Sequence, residues 1–132
     1  MNVRVSILIF VTFFFFLTSN AQVNFCDKLI GKWEGTDSDG ITATLELFDS
    51  ANVRFRIPGE YFLMGRYSLD TTQSPVWFDI SFRNRLTIVS LKGLIELIDD
   101  NTLKWQIFSK GKRDLVFTDR ADAPIFFLNK IK

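Results

Sequence analysis

The sequence has no histidine and only one cysteine, Cys26, in a chain of 132 residues. Without histidine the chain has neither the Ser-His-Asp nor the Cys-His arrangement of nucleophilic catalysis, and it lacks the commonest zinc ligand. No Gly-x-Ser-x-Gly turn, phosphate-binding loop or Cys-x-x-Cys pair occurs in the sequence either. These absences favour a protein that is not an enzyme and that has no cofactor or metal.

A single cysteine also excludes a disulfide within the chain. Three fates remain open for Cys26: a disulfide with a second molecule, a buried thiol, or a lipid attached at a mature amino terminus. Lipid attachment requires small residues just before the cysteine, and the bulky Phe25 occupies that position. The residue type therefore argues against the lipidated form.

Neither sign of charge is in excess. The chain has 16 basic and 15 acidic residues, so loss of Arg4 with an amino-terminal segment would leave 15 of each sign. This balance predicts no electrostatic footprint for nucleic acid or for an anionic membrane surface. The longest basic cluster, Lys110-Gly111-Lys112-Arg113, is typical of a solvated hairpin loop.

The amino terminus has the features of an export signal. Arg4 precedes a 13-residue run, Val5 to Leu17, that is apolar apart from two hydroxyl residues. A membrane-spanning helix needs about 20 such residues, so this run is short for an anchor. Ser19 and Ala21 are small residues at the spacing that a signal peptidase reads. We expect residues 1–21 to be a cleaved signal peptide and residues 22–132 to form one exported domain, periplasmic or secreted.

After this leader the sequence alternates between apolar and polar residues. In "VWFDISF", Val76, Phe78 and Ile80 lie on one face of an extended strand and Trp77 and Asp79 on the other. Short segments of this kind recur between turn residues, as in a β meander. The pattern predicts an all-β fold of eight or nine strands, closed as an antiparallel up-and-down barrel, with a two-sheet sandwich as the alternative. The stretch from Leu86 to Ile98 predicts two strands, or one strand bent at Gly93.

The inward-facing residues are the main candidates for a binding site. They form either a cup for a small hydrophobic ligand or a filled interior at native packing density. Ile41 and Ala43 share the predicted inward face of the second strand. The residues expected to line the interior are Leu45, Leu47, Phe55, Tyr67, Phe78, Ile80, Trp105, Ile107 and Phe117.

Short motifs in the mature chain resemble those of lipocalins and other calycins. "GKWEGT", with Trp33, resembles the Gly-x-Trp signature of the first strand, and "GRYSLDTTQSPVWFDI" and "GLIELIDDNTLKWQIF" resemble later strands of small exported bacterial lipocalin-like domains. Leu94-Ile95 and Arg113-Asp114 depart from that pattern, and the chain shows no carboxy-terminal helix. The resemblance implies a barrel in which Trp33 packs across one end, covered by Arg120, with Arg113 as the reserve candidate.

Acidic residues in the mature chain indicate turns and solvent-facing positions. Asp37-Ser38-Asp39-Gly40 resembles part of a calcium loop, but Phe48 stands where the twelfth ligand would be, so a hairpin turn is favoured. Strand carboxylates such as Asp79 alternate with apolar neighbours. They are expected on the barrel exterior, where a raised pKa for acid–base catalysis is hard to reach.

The sequence thus predicts a non-enzymatic barrel that binds a small hydrophobic ligand. The alternative is a filled barrel that acts as a protein-interaction or inhibitor module. An exposed aromatic patch near Trp77 is the candidate surface, although Trp77 could instead pack under the amino-terminal turn. Of the adjacent Phe126 and Phe127, one must leave the core. We expect no nucleic-acid partner and no integral membrane segment in the mature chain.

Overall fold

The computed structural model describes residues 24–56, 62–110 and 112–132, and the predicted leader lies outside these residues. The described chain begins with a short helix, α1, over residues 24–29. Eight antiparallel strands follow, each paired with its neighbours in sequence, and β1 pairs with β8 to close the barrel. This confirms the predicted up-and-down barrel. The strands are β1 Gly31–Thr36, β2 Thr42–Leu47, β3 Asn52–Arg56, β4 Leu63–Asp70, β5 Val76–Asn84, β6 Thr87–Asp99, β7 Thr102–Phe108 and β8 Ile125–Ile131.

The pairing register of the strands places inward-facing residues of neighbouring strands side by side, in continuous rows around the barrel. Trp33 lies opposite Leu45, Leu45 opposite Phe55, and Phe55 opposite Leu63, so one row crosses four strands. Opposite residues of an antiparallel pair point to the same face, so the alternation along each strand becomes a shared dry centre. Ile41 departs from the expectation: it precedes β2 in the turn and is 42% exposed.

Because the strands run alternately up and down, successive connections lie at opposite ends of the barrel. The helix end has α1 and the turns after β2, β4 and β6, and the hairpin end has the connections after β1, β3, β5 and β7. Aspartates terminate several strands as predicted: Asp37 Oδ1 accepts hydrogen bonds from the amides of Asp39 and Ile41, both at 2.9 Å. Asp99 Oδ1 accepts one from the amide of Asn101 at 2.8 Å.

Two glycines allow the barrel wall to close tightly. A Cβ on Gly35 would lie 1.8 Å from the backbone oxygen of Phe127, so β1 could not approach β8 with a larger residue there. A Cβ on Gly93 would lie 2.8 Å from the Phe78 oxygen and 2.9 Å from the Gln106 oxygen. β6 is therefore a single strand through Gly93, which serves close approach on both sides.

The connection from β7 to β8 spans 16 residues, 109–124, and covers the outside of the barrel. Its side chains and outward residues of β5, β6 and β7 form a second apolar group, the outer cluster, of Trp77, Leu94, Phe108, Phe117 and Ala123. The interior holds the larger group, which we call the inner cluster. The molecule thus has two apolar groups on opposite faces of one sheet.

Candidate functional site

Aromatic side chains occupy the centre of the barrel. The Phe78 ring centroid lies 5.5 Å from that of Tyr67 and 6.1 Å from that of Trp105, with the rings tilted or edge to face. Trp105 continues the contact to Phe126 at 6.0 Å. Phe55, nearer the hairpin end, meets Phe82 edge to face at 5.5 Å. Such pairs contribute about 0.5–1.5 kcal/mol each beyond the area they bury.

Eight of the nine residues predicted to line the interior are members of the inner cluster, and each is at most 6% exposed. Phe117 is the exception. It packs in the outer cluster, with Lys104 Nζ 4.3 Å from its ring centroid. Its segment does not form a strand, so alternation could not decide which side of the barrel it faces. The eight are Leu45, Leu47, Phe55, Tyr67, Phe78, Ile80, Trp105 and Ile107.

Trp33 lies buried near the helix end, where α1 packs on the barrel. Its Nε1 donates a hydrogen bond to the Leu29 carbonyl oxygen at 2.9 Å, which joins β1 to the last residue of α1. The cation over its ring is Lys130, with Nζ 5.4 Å from the centroid. Lys130 is the direct partner of Trp33 in the β1–β8 register, so the closing strand supplies the covering charge.

Neither predicted arginine covers Trp33. Arg120 lies over Phe108 at 5.8 Å from the ring centroid and pairs with Asp122 at 2.9 Å. The reserve candidate, Arg113, lies over Trp77 at 3.8 Å. Both belong to the 109–124 connection, which runs along the outer wall, whereas the ring of Trp33 is inside.

A polar pair lies beneath α1 at the helix end. The buried Tyr67 hydroxyl donates a hydrogen bond to the Asp49 carbonyl oxygen, and the half-buried Cys26 Sγ lies 3.4 Å from the same hydroxyl. Burial, with the hydrogen bond to Cys26, raises the pKa of the Tyr67 phenol above its usual range. The phenol therefore stays protonated and joins β4 to the β2–β3 turn. Cys26 is a free, half-buried thiol in this structure.

A groove of about 490 Å³ runs between α1, the β4–β5 connection and β6. Its floor is apolar, and Lys28 and Glu96 place one charge of each sign beside it. It lies at the end of the inner cluster, where Phe25, Val76 and Leu97 are only partly buried. The lining residues are Asn24, Phe25, Lys28, Ser74, Pro75, Val76, Ile95, Glu96 and Leu97.

Arg113 attaches the 109–124 connection to the barrel wall. Its guanidinium stacks on Trp77, pairs with the Asp79 carboxylate and donates to the Gly93 carbonyl oxygen at 3.3 Å, and its side chain is only 8% exposed. Trp77 is therefore covered by the connection, and packing under the amino-terminal turn is not observed. Asp79 faces outward as predicted, with Lys92 at 3.8 Å as its second partner.

Gln106 makes the other attachment, and the sequence did not predict it. Its Nε2 donates to the carbonyl oxygens of Thr118 at 2.7 Å and Ala123 at 2.9 Å, and its Oε1 accepts from the Thr118 amide at 3.1 Å. The side chain is fully buried. Alternation places Gln106 on the outer face correctly, but only the length of the β7–β8 connection, too long for a simple hairpin, signals that this face is covered.

Within residues 24–56, 62–110 and 112–132, no three His, Cys, Asp or Glu side chains cluster as a metal site requires. In the same part of the chain, no helix has the length and hydropathy to cross a membrane. Comparison with protein-family models, with curated proteins and with solved structures found no match to this chain.

Proposed function

We propose that the chain is an exported, non-enzymatic, lipocalin-like barrel that acts as an interaction module through its outer surface. The observation that carries this proposal is the aromatic packing at the barrel centre, where Phe55, Phe78 and Trp105 are each 1% exposed. Eight strands close around a space that side chains are just able to fill. The rings fill the place where a lipocalin-like cup would hold its ligand.

A cavity experiment tests whether the centre is filled. Benzene at saturation should leave the thermal midpoint of the wild type unchanged, because no apolar space at the centre is free to receive it. Phe78→Ala should create that space at a cost of about 3–5 kcal/mol, and benzene should then raise the midpoint of the variant. Leu128→Ala offers a second, smaller cavity in the same cluster. A benzene-dependent rise that is seen in the wild type and persists when Leu97→Arg blocks the groove beside α1 would contradict the proposal.

The groove beside α1 supports a second candidate, a small apolar ligand bound at the helix end. Its volume of about 490 Å³ falls in the range of small-molecule sites, and its floor continues the inner cluster. The hydrophobic ligand predicted from the sequence would then lie beside α1, outside the barrel centre. Lys28 and Glu96 would orient a polar group on such a molecule.

Titration with the neutral probe N-phenyl-1-naphthylamine tests this candidate. One-to-one saturable fluorescence that is lost in Leu97→Arg is the expected result for a groove site. Ile98→Arg is the matched control, because Ile98 is the next residue on β6, is 51% exposed and does not line the groove. Equal losses in the two variants, or no saturable binding in the wild type, would remove the groove as a ligand site.

A further inference from the structure

The β5–β6 hairpin projects beyond its neighbours at the hairpin end. The β4–β5 ladder ends at Arg66 opposite Ser81, and the β6–β7 ladder ends at Lys92 opposite Phe108. Among the described residues, positions 82–89 therefore pair only with each other. A projecting two-stranded ribbon makes its tip accessible to a partner without any opening of the barrel.

The tip of this hairpin has apolar side chains in solvent. Leu86 is fully exposed, at 101%, and Ile88 is 70% exposed. Arg85 precedes Leu86 in the turn with φ of 57°, a left-handed conformation that favours glycine and that costs a larger residue of order 1 kcal/mol. The turn thus combines a strained arginine with an unburied leucine, and neither residue contributes to folding through burial.

Arginine and apolar residues alternate around the tip. Arg83 lies directly opposite Ile88, so the two side chains stand together on the outer face. On the adjacent strand Met64 is 60% exposed, and Phe62, just before that strand, is 45% exposed. We call Phe62, Met64, Arg83, Arg85, Leu86 and Ile88 the hairpin rim.

Of the two arginines of β3, Arg54 is paired with Glu46, and Arg56 adds to this charge. The Arg54 and Arg56 guanidinium carbons lie 4.9 and 5.3 Å from the centroid of the Phe62 ring. Within the described chain, no carboxylate lies within 4.0 Å of the charged groups of Arg56, Arg83 or Arg85.

Two carboxylates on strands next to this surface are paired with basic residues. Glu46 pairs with Arg54 at 3.2 Å, and Asp79 pairs with Arg113 and Lys92. The tip of the β5–β6 hairpin, residues 82–89, thus has a local excess of positive charge, with two arginines and no carboxylate in its sequence. This local excess calls for an anionic partner.

We propose that the hairpin rim binds an anionic lipid surface, with Leu86 and Ile88 entering the headgroup region and Arg83 and Arg85 binding phosphates. This rests on the proposed function, since it names the partner of the outer surface. Aliphatic side chains at an exposed turn suit the boundary of a bilayer, and flanking cations add attraction to acidic headgroups. A single-stranded nucleic acid would call for several aromatic rings as stacking platforms, whereas the rim has one, Phe62, among the aliphatic side chains of Met64, Leu86 and Ile88.

Co-sedimentation with lipid vesicles tests the proposal. One set of vesicles is pure phosphatidylcholine, and the other contains roughly 30% phosphatidylglycerol, an acidic content that gives a strong negative surface potential. The chain from Gln22 onward is used, because every described strand and its pairing partner lie within it and the apolar leader would itself bind lipid. Binding should require the acidic lipid and weaken as salt rises. Arg83→Gln with Arg85→Gln should reduce partitioning about thirtyfold, and Leu86→Ser about fivefold.

The controls lie at the helix end. Ile98→Ser removes an apolar residue that is 51% exposed, and Lys132→Gln removes an exposed charge, so both should bind vesicles as the wild type does. Leu86→Trp should show tryptophan emission that shifts to the blue with acidic vesicles and is quenched by brominated lipid. Unchanged circular dichroism in each variant would show that the barrel is intact.

Equal binding to neutral and acidic vesicles, or equal losses in the control and rim variants, would overturn the lipid assignment. Binding to single-stranded DNA that matches vesicle binding and is indifferent to Leu86→Ser would overturn it as well. The benzene experiment reports separately on the barrel centre. A filled centre without vesicle binding defeats this inference alone, whereas benzene bound at the centre of the wild-type barrel defeats the proposed function whatever the vesicles show.

Discussion

The inner and outer clusters lie on opposite faces of the same strands, yet they are held in different ways. The inner cluster is a ring of apolar side chains such as Phe78 and Trp105, supplied by all eight strands. The outer cluster is smaller, and two polar side chains, Arg113 and Gln106, attach its covering segment to the wall. Area buried stabilises the first, whereas satisfied hydrogen bonds and one ion pair define the position of the second.

This difference predicts how each region fails. Loss of an inner side chain leaves a cavity in the core and should destabilise the whole barrel. Loss of an outer attachment should release residues 112–124 while the strands remain paired. Substitutions ranked by cost therefore test whether the two regions are as separate as their contacts indicate.

Trp33→Ala should have the largest effect, about 3–5 kcal/mol in the free energy of unfolding. The substitution removes a fully buried indole and its hydrogen bond to Leu29, so it loosens α1 as well as β1. Urea denaturation followed by circular dichroism measures the change. An unfolding midpoint equal to that of the wild type would refute the role of Trp33 in closing the helix end.

Gln106→Leu should cost about 2–3 kcal/mol, although it adds an apolar side chain at a buried position. The isosteric leucine leaves the Thr118 amide and the carbonyl oxygens of Thr118 and Ala123 without their partner, and unsatisfied buried groups are expensive. Urea denaturation and hydrogen exchange at residues 112–124 measure the effect. Increased stability would mean that apolar burial outweighs these hydrogen bonds.

Arg113→Met should cost about 1–3 kcal/mol, a smaller loss, because Asp79 stays partly hydrated and keeps Lys92 nearby. The clearest readout is limited proteolysis, which should cut within residues 112–124 in the variant and leave the strands intact. Arg120→Ala is the matched control from the same connection. Its partners Asp114 and Asp122 are partly exposed, so both the free energy of unfolding and the protease pattern should stay close to those of the wild type.

Tyr67→Phe should have the smallest effect at neutral pH, about 1 kcal/mol for the hydrogen bond to Asp49. The effect of the substitution on the free energy of unfolding should be clearest at high pH. The folded-state pKa of the phenol is raised above its unfolded value, so its contribution is complete below about pH 10 and is lost as the pH rises above that. Stability measured from pH 8 to 12 should fall more steeply in the wild type than in the variant. Parallel slopes would exclude Tyr67 as the cause.

A second pH dependence belongs to the outer region. The Thr118 hydroxyl, followed by Arg120, lowers the pKa of Asp114 below its usual range. A carboxylate with a depressed folded-state pKa contributes stability above its unfolded pKa and loses that contribution as pH falls through the folded value. Protection factors for hydrogen exchange at residues 112–124, corrected for the intrinsic exchange rate at each pH, should therefore fall in acid before those of the strands do. An equal fall in both regions at the same pH would mean that the two regions open together.

Alternation in the sequence predicted most of the inner region. Phe55, Phe78 and Trp105 all belong to the inner cluster. Side chains alternate between the two faces along each strand, and pairing of the strands places the apolar face of each one toward the barrel centre. The prediction that one of two adjacent phenylalanines must leave the core is also confirmed: Phe126 is 1% exposed and Phe127 is 51% exposed. A local pattern suffices wherever a residue lies on a strand.

The outer cluster could not be predicted in the same way, because it is formed by tertiary contacts that no local sequence pattern indicates. Phe117 and Arg120 lie on a connection without strand period, so nothing in their spacing tells which surface they reach. Only the fold brings these residues to their neighbours.

Crystals of the chain under xenon pressure would test the filled barrel most directly. Xenon occupies apolar cavities that water leaves empty, and it needs no polar partner. In a filled barrel, no ordered xenon should be seen among the rings of Phe55, Phe78 and Trp105 of the wild type. Phe78→Ala should have an ordered xenon site at that place. Ordered xenon at the centre of the wild-type barrel would contradict the filled barrel and would favour a ligand-binding cavity at that place.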